Sequence, residues 1–281
     1  MLDVAVIGCG IVGANVAYLL SQHKLRAAVF EKENDVSMGT TRANSAIVHA
    51  GYDPEPGTAM ARLNVRGSAL TKEQCAAFDV KYRQIGSLVL AFSDEEMATV
   101  RRLYENGVAN GVPGVRVLTR EETLAMEPNL SDAVCGALYA PSAAIVEPWD
   151  LALALAEAAV ENGVELHLET AVTGAEKISG GWRLHTAKGD FEARAVVNAA
   201  GVEADLVAAM AGEPGFTTIP SRGEYYLLDK SQGYVVNHVV FQCPNRDGKG
   251  VLVSPTVHYN LIVGPNAEPS GREDVSTQAD A

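Results

Sequence analysis

The chain has 281 residues, of which 47% are hydrophobic, and this is enough for a large core and one or two domains. Its formal net charge of −13 argues against nucleic acid or an anionic membrane as a partner. The four cysteines are far apart and form no Cys-x-x-Cys pair, which argues against a metal site or a redox dithiol.

The start of the sequence and the length of its apolar runs indicate where in the cell the protein is expected. No basic region precedes an apolar stretch at the start, so no secretory signal is visible. No apolar run approaches the length of a membrane span. We therefore predict a cytoplasmic protein without a transmembrane segment.

A glycine-rich turn lies between the first predicted strand and the first predicted helix. Residues 4–7 form a short apolar run and residues 11–23 show helical spacing, with Gly8, Gly10 and Gly13 at the junction. The first glycine permits a tight turn, the second lets a pyrophosphate approach the backbone, and the third lets the helix pack on the strand. The helix N-terminus presents free N–H groups to phosphates.

An acidic residue ends the second apolar run, residues 27–30. Glu31 stands where a carboxylate can accept hydrogen bonds from ribose hydroxyls, although an ordinary strand-end carboxylate is the alternative. The order of strand, glycine turn, helix, strand and acidic residue predicts a dinucleotide-binding βαβ unit.

Helical and strand patterns then alternate along the chain. Helices are predicted over residues 58–80, 94–109, 149–162 and 203–211, with a further one opened by the capping box at Thr119. Strands are predicted over residues 85–92, 137–140, 164–168, 172–178, 182–186, 195–199, 223–228, 235–241, 250–254 and 259–263.

The order of these elements predicts a discontinuous domain arrangement. Parallel βαβ signals favour a nucleotide-binding domain made of residues 1–79 and 145–214. Antiparallel and mixed signals favour a substrate domain made of residues 80–144 and 215–264. Residues 265–281 are polar and are expected to form a mobile tail.

Four further segments carry more specific motifs than the glycine turn. They are Asn44-Ser45 with His49-Ala50-Gly51, Val197-Asn198-Ala199-Ala200-Gly201, Arg222-Gly223-Glu224-Tyr225-Tyr226, and Gly264-Pro265-Asn266-Ala267. Together they resemble the D-amino-acid-oxidase superfamily of FAD-dependent oxidoreductases, in the branch of glycerol-3-phosphate dehydrogenases and L-2-hydroxyglutarate oxidases. The resemblance runs from Leu2 to about Glu268.

The resemblance implies an α/β fold, in which a Rossmann-like FAD-binding domain with a parallel sheet accompanies an antiparallel-sheet α+β substrate domain. It also implies FAD as cofactor. The residues that would hold it are Gly8, Gly10, Gly13, Glu31, Lys32, Thr40, Thr41, Arg42, Asn44, Ser45, Val172, Ala200 and Gly201. A plain polar loop over residues 40–45, with Arg42 as a surface charge, is the alternative.

Three residues are candidates for catalysis. The resemblance places His49 near the flavin ring, and its apolar neighbours predict burial; a hydrogen-bonded core histidine is the alternative. Arg222 is expected to grip a carboxylate or phosphate, the alternative being a salt bridge with Glu224. Tyr225 and Tyr226 alternate along a predicted strand, so one is expected to face the pocket and the other the core, and Tyr225 is taken as the candidate; His258 and Tyr259 are weaker candidates.

The function implied by the resemblance is the oxidation of a small anionic secondary alcohol by hydride transfer to flavin, with glycerol 3-phosphate preferred as the substrate. L-2-hydroxyglutarate oxidation, amine oxidation and an inactive FAD-binding fragment remain as alternatives, and the electron acceptor stays open. Relatives usually run past residue 281 and return to the flavin there, so we expect reduced FAD affinity in this form. An NAD-dependent dehydrogenase is disfavoured by the loop over residues 39–45.

Overall fold

A computed structural model of the chain describes residues 1–244 and 250–272. The helices are α1 (Ile11–Ser21), α2 (Ala59–Ala77), α3 (Asp94–Ala109), α4 (Arg120–Met126), α5 (Pro148–Glu161) and α6 (Ala204–Met210). The strands are β1 (Leu2–Ile7), β2 (Ala27–Phe30), β3 (Ile47–Val48), β4 (Tyr82–Arg83), β5 (Ser87–Ala91), β6 (Arg116–Thr119), β7 (Gly136–Ala140), β8 (Ala144–Val146), β9 (Glu165–His167), β10 (Val172–Ile178), β11 (Gly181–Thr186), β12 (Gly189–Asn198), β13 (Ser221–Arg222), β14 (Tyr226–Leu228), β15 (Val239–Gln242), β16 (Leu252–Pro255), β17 (Leu261–Gly264) and β18 (Glu268–Pro269). Short 3-10 turns cover Thr40–Arg42, Gly201–Glu203 and Lys230–Gln232.

The first of two compact units consists of Met1–Asn44, Pro148–Ser221 and residues 269–272. Its six-stranded sheet has the order β10-β11-β12-β1-β2-β9. Strands β12, β1, β2 and β9 are parallel, while β10, β11 and β12 form an antiparallel meander. All four residues of β2 are buried, as expected for an apolar strand inside a parallel sheet. The βαβ part of the fold prediction is therefore confirmed.

The core of the first unit lies on this sheet. Its large members include Leu2, Ile7, Phe30 and Leu184, all buried, with Val207 of α6 packed among them. Burying each such side chain contributes roughly 1.5–3 kcal/mol, which holds β1, β2 and β12 in register. The glycine turn therefore follows directly from a strand, β1, that is anchored in this core.

The second unit consists of Ser45–Glu147 and Arg222–Glu268. Its main sheet has the order β14-β17-β16-β15-β5-β7-β6 and is antiparallel except for the parallel pair β15 and β5. A small antiparallel sheet has the order β3-β8-β4. The mixed, mainly antiparallel architecture confirms the α+β part of the predicted fold class.

The compact units differ from the predicted domains mainly over residues 45–79 and over the predicted tail, with smaller shifts at residues 145–147 and 215–221. Residues 45–79 lie in the second unit rather than with the nucleotide-binding segments, because β3 pairs with β8 there. In the predicted mobile tail, residues 265–272 make defined contacts: Arg272 donates hydrogen bonds to Asp205 at 2.8 and 2.6 Å. Residues 273–281 of that tail lie outside the described residues.

Candidate functional site

The glycine turn after β1 leaves no room for side chains at two positions. Gly8 has a φ of +95°, and a Cβ there would lie 2.5 Å from the carbonyl oxygen of Ala199. A Cβ on Gly13 would lie 1.9 Å from the carbonyl oxygen of Gly8. The turn therefore needs glycine at both positions, as the spacing predicted.

The N-terminus of α1 opens directly at this turn. Its N-cap residue, Gly10, has no side chain with which to cap the helix, and a Cβ on it would lie 3.0 Å from Thr41 Oγ1. The amide of Ile11 donates to the same hydroxyl at 2.9 Å, and Thr41 is buried. The free N–H groups of the first turn and the helix dipole make this end attractive to a phosphate.

Glu31 is buried beside the turn with its carboxylate tied to the backbone. Its Oε2 accepts from the amide of Cys9 at 2.7 Å, and its Oε1 accepts from the amide of Glu33 at 3.0 Å. Each carboxylate oxygen has a second lone pair, so both oxygens can still accept a ribose hydroxyl. Burial, with Glu31 and Asp35 nearby, raises the pKa of Cys9 to about 12, so its thiol stays neutral and serves packing.

The predicted pyrophosphate loop is held by an asparagine. The side-chain amide of Asn44 donates to the carbonyl oxygens of Thr40 at 3.0 Å and Thr41 at 2.8 Å, which closes the 3-10 turn there. Thr40 and Arg42 are exposed, and Arg42 Nη1 lies 3.5 Å from Met38 Sδ. The sequence singled out Asn44 as a ligand residue, whereas its role in shaping the loop was missed.

A second asparagine shapes the turn that follows β12. Asn198 Oδ1 accepts from the amide of Ala200 at 3.2 Å, and its Nδ2 donates to the carbonyl of Ala204 at 2.6 Å. Gly201 in this turn has a φ of +58°. The sequence analysis quoted Asn198 in a motif without assigning it a role; this geometry supplies one.

The other predicted cofactor residues of the first unit lie on neighbouring segments. Lys32 donates to Glu203 Oε1 at 2.8 Å, and this hydrogen bond raises the pKa of the Lys32 ammonium. Val172 begins β10 and packs partly buried against the core of the unit. Thr170, two residues before it, donates its amide to the carbonyl of Glu31 at 2.7 Å.

The first unit thus fits the adenosine diphosphate part of FAD. A cradle that a Cβ would fill, a helix N-terminus and a buried carboxylate with spare lone pairs occur together. These groups suit a diphosphate and a ribose.

His49, in the second unit, is exposed, so the predicted burial is wrong. Ile47 and Val48 form β3 and are partly buried. The strand ends at Val48, so the next residue, His49, lies outside the sheet. The imidazole stacks on the ring of Phe241, with 5.9 Å between ring centroids. The side-chain amide of Asn64 donates to the carbonyl of His49 at 2.9 Å.

Two motifs of the second unit meet around Arg222. Its Nε lies 3.4 Å from Glu224 Oε1, and both side chains are about four-fifths buried. Glu224 Oε2 accepts from Asn266 Nδ2 at 3.2 Å, and Asn266 Oδ1 accepts from the amide of Glu224 at 2.8 Å. A Cβ on Gly264 would lie 2.6 Å from the carbonyl of Glu224, so this approach requires glycine. The salt bridge proposed as the alternative for Arg222 is therefore present.

The remaining predicted residues of the second unit have simpler surroundings. Tyr225 is partly buried against the core, whereas Tyr226 is 65% exposed. Ser45 is partly buried at the start of the unit.

A polar cluster in the second unit was largely missed by the sequence analysis. The buried carboxylate of Glu147 is hydrogen-bonded to His258 Nε2, and Lys81 Nζ lies 3.2 Å from His258 Nδ1. The three residues are far apart in the chain, so no local pattern signals the cluster.

Within residues 1–244 and 250–272, no group of three or more His, Cys, Asp or Glu side chains is arranged to hold a metal ion. The helices of this part of the chain are too short or too polar to span a bilayer.

Comparisons with known proteins agree on one family. Residues 3–281 match the family described as DAO, FAD dependent oxidoreductase. Glycerol 3-phosphate dehydrogenase of Caloramator mitchellensis is 50% identical over 95% of this chain, which spans 56% of that protein's length. L-2-hydroxyglutarate dehydrogenase of Escherichia coli K12 is 32% identical over 95% of this chain, which spans 64% of that protein's length. The structure of FAD-bound L-alpha-glycerophosphate oxidase from Mycoplasma pneumoniae superposes with a TM-score of 0.91 at 30% identity, covering 99% of this chain and 75% of that one.

Proposed function

Because the chain belongs to the DAO family of FAD-dependent oxidoreductases, we propose that it oxidises the secondary alcohol of glycerol 3-phosphate to dihydroxyacetone phosphate. The observation that carries this substrate is the 50% identity to a glycerol 3-phosphate dehydrogenase over 95% of the chain. A phosphate-bearing substrate also agrees with the largely buried guanidinium of Arg222, which lies beside the carboxylate of Glu224.

The first unit binds the cofactor in this proposal. Glu31 accepts the ribose hydroxyls, and the N-terminus of α1 with Thr41 receives the pyrophosphate. Bound FAD supplies the acceptor for the hydride that leaves the substrate carbon. The protein's task is to orient the two reactants and to manage charge.

The second unit binds the substrate and takes its proton. Arg222 holds the phosphate, because a planar guanidinium donates two parallel hydrogen bonds to such an anion. Glu224, fixed by Asn266, sets the direction of that guanidinium. His49 accepts the hydroxyl proton as the carbon is oxidised, with its ring held against Phe241, and Tyr225 contacts the substrate.

L-2-hydroxyglutarate is the second candidate substrate. The observation that favours it is the 32% identity to a dehydrogenase for that compound over 95% of the chain. Both substrates are small anionic secondary alcohols, and Arg222 can bind either a carboxylate or a phosphate. The surroundings of Arg222 therefore do not separate the two.

An assay of the purified chain with FAD, an artificial electron acceptor and each substrate tests the proposal. Turnover of glycerol 3-phosphate alone supports it, turnover of L-2-hydroxyglutarate alone replaces it with the second candidate, and turnover of neither defeats both.

The substitution Arg222→Lys tests the anion site. It keeps the positive charge but loses the planar pair of donors, so we expect KM for glycerol 3-phosphate to rise about 10-fold or more. Arg194→Lys is a matched control, because Arg194 is 69% exposed and its ion pair with Asp3 is long, at 3.5 Å. An unchanged KM in Arg222→Lys would remove this residue from the substrate site.

A further inference from the structure

An ion pair joins two segments on either side of the glycine turn. Lys32 stands just after β2, and Glu203 ends the 3-10 turn that follows β12. Their charged atoms, Nζ and Oε1, are 2.8 Å apart. Because the sheet order is β12-β1-β2, the pair connects the carboxyl ends of the two strands that flank β1.

Both ends of this pair are held in place by other contacts. The turn that carries Glu203 is closed by Asn198 and fastened by Asp205, which forms a bidentate ion pair with Arg272 at 2.8 and 2.6 Å. Lys32 follows Glu31, whose carboxylate is bonded to the glycine turn. The ion pair therefore joins two positioned segments rather than two free side chains.

We propose that Lys32 and Glu203 form a latch over the adenosine end of the FAD site and set the rate at which the cofactor leaves. This inference rests on the proposed binding of FAD in the first unit. The two side chains are 48% and 30% exposed, so the latch opens without disturbing the core. An exposed ion pair of this kind is weak and is screened by salt. We therefore expect its effect on the FAD release rate to be moderate.

The test measures FAD release from the full chain by stopped-flow fluorescence. We expect Glu203→Gln to release FAD about two- to fivefold faster than the unmodified chain at low salt. This difference should shrink in 0.5 M NaCl, about where the screening length falls to a few ångströms. Lys32→Met should also release faster, and adding Glu203→Gln to it should give no further increase.

Glu33→Gln is the matched control. Glu33 is the second carboxylate near Lys32, but its Oε1 is 3.8 Å from Lys32 Nζ. Glu33 also belongs to the same segment as Lys32, so this pair does not connect the two strand ends. Its removal should leave the release rate unchanged. Melting temperatures of the FAD-free variants check that the substitutions act on release rather than on folding.

Several outcomes would overturn the latch. The first is an unchanged FAD release rate in Glu203→Gln, and the second is additive effects on that rate in the double variant. The third is slower FAD release in either single variant, which would mean that the ion pair competes with the cofactor. A chain that binds FAD but turns over no substrate overturns the proposed function and leaves the latch standing. A chain that binds no FAD overturns both.

Discussion

Gly13 shows how a single residue positions the candidate cofactor site. A methyl group there would meet the carbonyl oxygen of Gly8 at 1.9 Å, and neither atom can rotate away, because the Cβ is fixed to the helix backbone and the oxygen belongs to the backbone of the turn. We expect Gly13→Ala to push α1 away from β1, to lower the free energy of unfolding by about 1–3 kcal/mol, and to weaken FAD binding at least 10-fold. Urea denaturation and fluorescence titration measure the two effects.

Gly215→Ala provides the matched control for this substitution. Among the described residues, nothing lies within 4 Å of a Cβ on Gly215, and this exposed residue of the first unit belongs neither to the glycine turn nor to the loop over residues 39–45. The Gly215→Ala variant should leave stability and FAD affinity nearly unchanged. Equal behaviour of the two alanine variants would show that the close approach at Gly13 is not needed.

Residues whose positions follow from local spacing were identified from the sequence, whereas surroundings that depend on distant contacts were not. Gly8, Gly13 and Glu31 were identified because a turn, a helix start and a strand end are local features. The exposure of His49 was missed, since it depends on where the two-residue strand β3 ends. The cluster of Glu147 and His258 joins residues 111 positions apart, and no spacing rule reaches that far.

At the level of elements, the pairing of α6 with residue 272 makes an acid-sensitive contact. Hydrogen bonds from Arg272 first, and then from the Thr218 and Leu206 amides, hold the pKa of the Asp205 carboxyl well below its usual range. A carboxyl whose pKa is lower in the folded chain adds stability at neutral pH. This contribution is lost as the pH falls below about 4, where the carboxyl of the unfolded chain protonates.

The substitution Asp205→Asn tests this contact by urea denaturation across pH. We expect the variant to be less stable than the unmodified chain at pH 7, with the difference shrinking below about pH 4. Asp132→Asn is the control, because Asp132 is 96% exposed and lies 3.7 Å from its partner Arg120. A stability difference that is constant from pH 7 to pH 3 would contradict the prediction.

Elements with strong local signals were predicted well, and short ones were not. Ser93 accepts from the amide of Glu96, and Thr119 forms the capping box with Glu122, as their spacing predicted. Strands β4 and β8 have two and three residues, too few for a periodic pattern, and they exist because they pair with each other. Their pairing, together with that of β3, is also why residues 45–79 fall in the second unit.

At the level of the whole molecule, the net charge of −13 opposes the approach of an anionic cofactor. The attraction of the α1 N-terminus acts over a few ångströms, whereas the repulsion of the whole chain extends over the screening length, about 30 Å at 0.01 M salt and about 10 Å at 0.1 M. Added salt should therefore weaken the repulsion more than the attraction. We expect the association rate constant of FAD to rise about two- to threefold between 10 and 150 mM NaCl.

Stopped-flow fluorescence at several FAD concentrations separates this association rate from the release rate that the latch controls. The same series in a non-ionic cosolute of equal osmolality is the control, and it should leave the association rate flat. An association rate that falls with salt would mean that local positive groups, foremost the N-terminus of α1, outweigh the charge of the whole chain.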